Sequence, residues 1–273
     1  MSSVDAEQVS GTVGASQPGG VVGASQVGGT VGARLAQPQA NLWTPAQLGS
    51  DLALWLDVWD SEFDLRTDGG TDYVERWGDL SGNGNDATQG TGSDQPVLLQ
   101  DGVQTNSGHV VSPLSLTQPF SVFALLEITD LFNGKRIAGG GNHIWSLANT
   151  PRNWDLFDDG SRFSGLPVDK EYYLFDSRWD GNNSFLATAV DGKSNGSLDG
   201  TNRSSFYIGD SESFQNPANN IFQVYIAVDR ALTDTERKKL QGWVAHKSDR
   251  NGIPEPPQNL PASHPYKDSP PTV

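Results

Sequence analysis

The sequence contains no cysteine in its 273 residues. That excludes both a disulfide framework and a thiolate metal centre. Positive charge is also scarce: 18 Lys and Arg stand against 33 Asp and Glu, a net charge of −15. Nucleic acid and anionic membrane surfaces are bound by clustered Lys and Arg, so neither is an expected partner. No apolar run approaches the length of a membrane span. Met1 to Glu7 offers neither a basic nor an apolar segment, so no export signal is read and synthesis in a cytoplasm is expected. The sequons at Asn182, Asn195 and Asn202 then carry little weight. Nucleophile elbows and phosphate-binding loops are missing, and the four histidines are scattered without metal-ligand spacing.

The first feature that is present is a repeat. Residues 4–39 read as nine-residue units, VDAEQVSGT, VGASQPGGV, VGASQVGGT and VGARLAQPQ, with Val4, Val13, Val22 and Val31 in register. Such a Gly-rich stretch buries too little apolar surface to offset its own backbone entropy. A flexible leader is the plain reading, but a leader needs no fixed register. The favoured reading is an arm, residues 1–41, that orders in an assembly through small apolar knobs meeting identical neighbours.

Beyond the Pro38–Pro45 junction the period changes to two. Leu52, Leu54, Leu56 and Val58 alternate with Ala53, Trp55, Asp57 and Trp59; Phe120, Val122, Ala124, Leu126 and Ile128 line one face of a longer strand. Short strands follow at Val74–Trp77, Arg136–Ala138, His143–Leu147, Tyr172–Trp179, Phe185–Val190 and Phe206–Ile208, separated by Gly- and Asn-rich turns. About a dozen short strands with helix confined to the end predict an antiparallel sandwich. In Ile221–Val228, Phe222, Val224, Ile226 and Val228 predict one face of a half-buried strand. Thr233 and Glu236 then have capping-box spacing, and Leu240, Trp243 and Val244 form one apolar stripe, predicting a helix over 234–248. A Pro-rich tail, 254–273, is expected to lie extended along a sandwich spanning 42–253.

Val228-Asp229-Arg230-Ala231-Leu232-Thr233-Asp234, Leu240-Gln241-Gly242-Trp243-Val244-Ala245-His246-Lys247 and Leu260-Pro261-Ala262-Ser263-His264-Pro265-Tyr266-Lys267 together resemble the closing segment of LamG-like (concanavalin A-like) jelly-roll domains. Asp79-Leu80-Ser81-Gly82-Asn83-Gly84-Asn85-Asp86 is similar to a loop of the same family. The resemblance implies an all-β jelly-roll sandwich with one short C-terminal helix. Domains with this ending are common in bacteriophage structural proteins and bacterial surface proteins.

Two groups of residues carry candidate chemistry. Asp79, Ser81 and Asn83, followed by Gly84, have the oxygen donors of the first half of a calcium loop, but position twelve is Gly90 rather than Glu. A structural turn is the competing reading. Trp154, with Asp155 beside it, is the candidate platform for a sugar ring, against a role in core or rim packing. Asp155, Asp158 and Asp159 are the best local carboxylates for glycosidase chemistry, yet Asp158-Asp159-Gly160 reads as a hairpin turn, so no enzyme and no obligatory cofactor are expected. His246 and His264 are expected to make polar contacts between helix and tail. The expected function is a bacteriophage virion component (capsid decoration, head fibre or tail spike), joined to other virion proteins through residues 1–41. It would be a homo-oligomer, a trimer by analogy with fibres. The alternative is a lectin-like module for host or environmental glycans. An accessory module of a polysaccharide-degrading enzyme is disfavoured, for want of a second catalytic domain.

Overall fold

The computed structural model describes residues 42–105, 108–129, 136–140, 143–147, 153–158, 161–167, 172–188, 192–198, 202–210, 219–250 and 260–273. The chain divides into two units, Met1–Asn41 and Leu42–Val273, and every described residue belongs to the second. The proposed arm with Val4, Val13, Val22 and Val31 lies outside the described residues.

Among the described residues, 17 strands (β1 to β17 in chain order) and one helix, α1 (Asp234–Arg250), form the regular structure, with a few short 3₁₀ turns. One layer runs β1 (Leu52–Asp57), β17 (Asn220–Val228), β8 (Phe120–Ile128), β13 (Tyr172–Trp179), β14 (Ser184–Thr188), β15 (Gly192–Gly196), all antiparallel. The other runs β2 (Phe63–Asp68), β3 (Thr71–Trp77), β4 (Ala87–Thr88), β7 (Val110–Thr117), β16 (Asn202–Ile208), β9 (Arg136–Gly140), β10 (His143–Leu147), β11 (Asn153–Asp158), β12 (Ser161–Pro167). Through β5 (Val97–Leu99) and β6 (Gly102–Gln104), β3 is connected to β17, so the ladder is one large antiparallel sheet folded into two layers.

The main core fills the space between the layers. β8 contributes Phe120, Val122, Ala124, Leu126 and Ile128, the face its alternation predicts. Its other face, Phe123 and Leu125, enters a second core beneath α1. The back layer is therefore buried on both sides, and the expectation of a half-buried closing strand is corrected: all nine residues of β17 are buried. A bulge between Phe222 and Val224 also breaks the predicted face. Phe222 joins Tyr225 and Ala227 in the main core, while Val224, Ile226 and Val228 meet the helix. A register shift between Leu52 and Leu54 likewise separates Leu52, under the helix, from Leu54 and Leu56 in the main core.

The helix starts where its capping box places it. Glu236 Oε2 accepts from the Thr233 N–H at 2.9 Å, and the Glu236 N–H donates to Thr233 Oγ1 at 3.3 Å. It runs two residues beyond the expected end. Leu240, Trp243 and Val244 are buried on the back layer as the stripe predicts, and Trp243 meets Trp55 edge to face at 5.6 Å. Charged pairs fix the helix over the sheet. Arg237 donates Nη2 to Asp176 Oδ2 at 2.6 Å, with Asp176 only 4% exposed, and its guanidinium lies 4.4 Å over the Phe185 ring. Lys247 Nζ bridges Asp57 at 2.5 Å and Asp60 at 2.6 Å, with Trp243 5.0 Å from the charge. Burial pushes the Asp57 carboxyl above its ordinary range, and Lys247 opposes that.

The described part of the tail, residues 260–273, packs against the helix and the start of the unit. His246 Nε2 donates to the Tyr266 carbonyl at 2.8 Å, and His264 Nε2 to Gln241 Oε1 at 3.1 Å, while His264 Nδ1 accepts from the Tyr266 N–H. These are the helix-to-tail contacts expected of the two histidines. Gly242 lets Tyr266 approach, since a Cβ there would come 2.5 Å from Tyr266 Cβ. Trp43 N–H donates to the Pro271 carbonyl at 2.9 Å.

Replacing Asp176 by Ala leaves a largely buried guanidinium with the exposed Asp234 as its remaining carboxylate and should lower unfolding free energy by about 3 kcal/mol in urea titration; Asp176→Asn, which keeps an acceptor, should lose less. Burial, assisted by Lys238, His246 and Lys267, pushes His264 down to about 4. A depressed imidazole means the unfolded chain takes up the proton first. Stability should therefore be full above about pH 6.5 and fall as the pH drops toward about 4. His264→Gln should flatten that limb in a series of melts from pH 7 to pH 4.

Candidate functional site

The Asp79–Asp86 loop is ordered by its glycines, Gly82 and Gly84, at φ +86° and +72°. It lies along the outer edge of β1, which pairs with β17 on its other side. Asp79 Oδ1 accepts from the N–H groups of Trp55 and Ser81, both at 2.9 Å; its Oδ2 accepts from Ser81 Oγ at 2.7 Å and the Asn85 N–H at 3.0 Å. Asn83 Nδ2 donates to the Leu52 carbonyl at 2.7 Å, and Asn85 Nδ2 to that of Ala53 at 2.9 Å. The Leu80 N–H reaches the Trp55 carbonyl, and the Ser61 hydroxyl and N–H complete the edge at Asp57. Each oxygen assigned to a calcium loop at Asp79 and Ser81 is thus hydrogen-bonded within the protein, and Asn83 presents its nitrogen to β1. These residue types satisfy an exposed sheet edge that would otherwise pair with another chain. Among the described residues no group of three or more His, Asp or Glu is arranged to hold a metal.

The two layers differ in what their outer faces offer. The back layer is sealed by α1 and residues 260–273. On the front layer, β7 alternates buried Val110, Ser112, Leu114 and Leu116 with half-exposed Val111 and exposed Pro113, Ser115 and Thr117. Backbone register carries a row from Val111 to Tyr207, then Gly139, Ile144, Phe157 and Arg162. Tyr207 is half-exposed in that row, and the His109 ring lies 5.9 Å from it, tilted by 39°. Gln89 Nε2 sits 2.7 Å from His109 Nε2. Burial holds the imidazole below its ordinary pKa, against the opposing effect of Asp94.

Trp154 and Asp155 lie on β11, on the same side of the molecule; Trp154 pairs with Leu147 and Leu166, Asp155 with Ser146 and Ser164, across a register shift. Their side chains lie outside the described part. Asp158 pairs with Ser161, so the expected hairpin joins β11 to β12. Sequence reasoning did not single out Tyr207, His109 or Gln89. The alternation of Phe206–Ile208 already separates Tyr207 from its two apolar neighbours, and that was the available signal.

No family model matches this sequence, and no curated protein does. Its likeness is to folds. Trypanosoma rangeli sialidase matches with a TM-score of 0.50 at 15% identity, over 68% of this chain and 32% of the sialidase. A GH54 α-L-arabinofuranosidase soaked with a cyclic sulfate inhibitor matches at 0.49 and 13% identity, over 74% of this chain and 59% of the other. Domain 4 of AbnA, a GH43 extracellular arabinanase from Geobacillus stearothermophilus in complex with arabinotriose, matches at 0.43 and 14%, over 59% and 91%. The chain thus spans about a third of the sialidase it matches. At such identities the likeness establishes an antiparallel β-sandwich. It also corrects one expectation. The sequence was read as that of a protein without enzymatic activity, yet the structure it resembles at a TM-score of 0.50 is a sialidase. The lack of a legible carboxylate pair therefore no longer excludes an enzyme.

Removing the edge cap with Asp79→Ala leaves four donors without their acceptor and should cost about 2–3 kcal/mol, with faster aggregation on heating. Because the loop's groups are already paired, wild-type melting should be the same in chelator and in millimolar calcium. A calcium-dependent rise would give the loop a metal after all.

Proposed function

We propose that this chain is a carbohydrate-recognising β-sandwich of the LamG-like kind. The observation that carries the reading is the asymmetry of its layers. The central strands of one, β1, β17 and β8, are covered on both faces, while the other presents an open face with Tyr207 half-exposed near the exposed Ser115 and Ser204. Aromatic rings on a rigid sheet suit the apolar faces of sugars, and adjacent polar groups suit their hydroxyls. The fold likeness supports the reading, since T. rangeli sialidase has also been solved with 2,3-difluorosialic acid as a covalent intermediate.

A second reading is favoured by the in-register repeat of residues 4–39. A bacteriophage virion component, homo-oligomeric and joined to other virion proteins through residues 1–41, would use such an arm and could display the same sugar-binding face. Calibrated mass spectrometry of purified particles tests it by the ratio of this chain to the major capsid protein. A fixed ratio supports it, and absence removes it.

The carbohydrate reading is tested on the full chain with a glycan array and with assays of sugar release from sialosides and arabinans. Saturable binding to a defined glycan set is expected, and Trp154→Ala should weaken it if that ring is a platform. A wild-type chain that neither binds nor cleaves any glycan would remove the carbohydrate reading.

A further inference from the structure

β16 is irregular where it crosses the open face. Between Ser204 and Phe206 its register with β7 shifts by a residue: Pro113 and Leu114 of β7 stand opposite Ser205, so the extra residue is in β7 and Ser205 faces the bulge. Ser205 adopts φ +60°, the single non-glycine residue among those described to do so. A left-handed serine inside a strand is strained, and such strain persists where surrounding structure enforces it. Here the neighbour is built around it: β9 carries Gly140 at the point of contact, where a Cβ would collide with the Ser205 carbonyl oxygen. The bulge leaves Ser204 exposed and Ser205 half-exposed, two residues before Tyr207. Across the sheet Tyr207 is paired with Gly139 on one side and Val111 on the other. The open face thus has a half-exposed aromatic ring beside a strained hydroxyl residue, with a glycine opposite the ring.

We infer that the Ser205–Tyr207 segment is the subsite for a neutral sugar ring, with Tyr207 stacking on it and the Ser205 hydroxyl bonding to one of its own. The inference rests on the carbohydrate reading and places it. Neutrality follows from charge. His109, whose ring lies 5.9 Å from that of Tyr207, is contacted by Gln89, the Asp94 carbonyl accepts from its N–H, and the whole chain carries −15. Arg136, three residues from Gly139 along β9, is about 10 Å away from the ring's partner. A carboxylated sugar would meet a repelling field from a chain of this net charge.

The test is an array of neutral and sialylated oligosaccharides probed with the full chain, followed by calorimetric titration of the best ligand. Neutral glycans should dominate. Tyr207→Ala should weaken binding roughly tenfold, and Tyr207→Phe should leave it within about twofold, since the ring remains. Ser205→Gly should raise the melting temperature by relieving the left-handed backbone, while weakening binding several-fold. An unchanged affinity in Tyr207→Ala, with its melting temperature intact, overturns the subsite and leaves the carbohydrate reading standing. Preferential binding of sialylated glycans overturns the neutral assignment. A wild-type chain that binds nothing on the array removes the carbohydrate reading and the subsite together.

Discussion

A sheet layer buried on both faces is the constraint on which the rest of this structure depends. β1, β8 and β17 present one side to the front layer and the other to α1, so neither side can be polar without a partner. This explains why β17 is buried along its whole length, and why the ions at its outer surface, Asp176 with Arg237 and Asp57 with Lys247, occur as pairs. It also assigns the helix its role. α1 supplies the cover that turns an exposed hydrophobic sheet into a second core.

Covering one layer leaves the open face to the other. The front layer keeps the alternation of an antiparallel sheet half in water, and among the described residues its register shifts fall at Asp64/Leu65, opposite Ser205, at Trp145/Ser146 and beside Trp154. The back layer has bulges too, at Leu52/Leu54 and Phe222/Val224, but these sort apolar side chains between two cores. The same local device therefore sorts side chains between two cores on one layer, and on the other it lies beside the exposed Ser204.

Much of this was legible from residue order. The capping box at Thr233 and Glu236, the stripe Leu240–Trp243–Val244 and the inward face of Phe120–Ile128 follow from periodicity, and the structure places them so. The bulges were not legible. A period-two pattern continues to look regular when one extra residue is inserted, so Phe222 was grouped with Val224 although they face different cores. The Asp79 loop was ambiguous for a different reason. Asp, Ser and Asn offer the same oxygens to a calcium ion as to backbone N–H groups, and only the position of the β1 edge distinguishes the two uses. Tyr207 was hidden by its context, since an aromatic between Phe206 and Ile208 reads first as core.

The pairing of β1 with β17 has a consequence for how the fold is reached. The ion pairs that lock this region join residues 179 and 190 positions apart, Arg230 to Asp51 and Lys247 to Asp57. A chain emerging from a ribosome therefore presents β1 long before its partner exists, and loop closure over such separations is slow. The outer edge of β1 does not have to wait as long. Its hydrogen-bonding partners in the Asp79–Asp86 loop follow about 30 residues behind it, as the Asn83 to Leu52 and Asn85 to Ala53 bonds show. The loop is thus near enough in sequence to occupy one side of an apolar strand before β17 has been made.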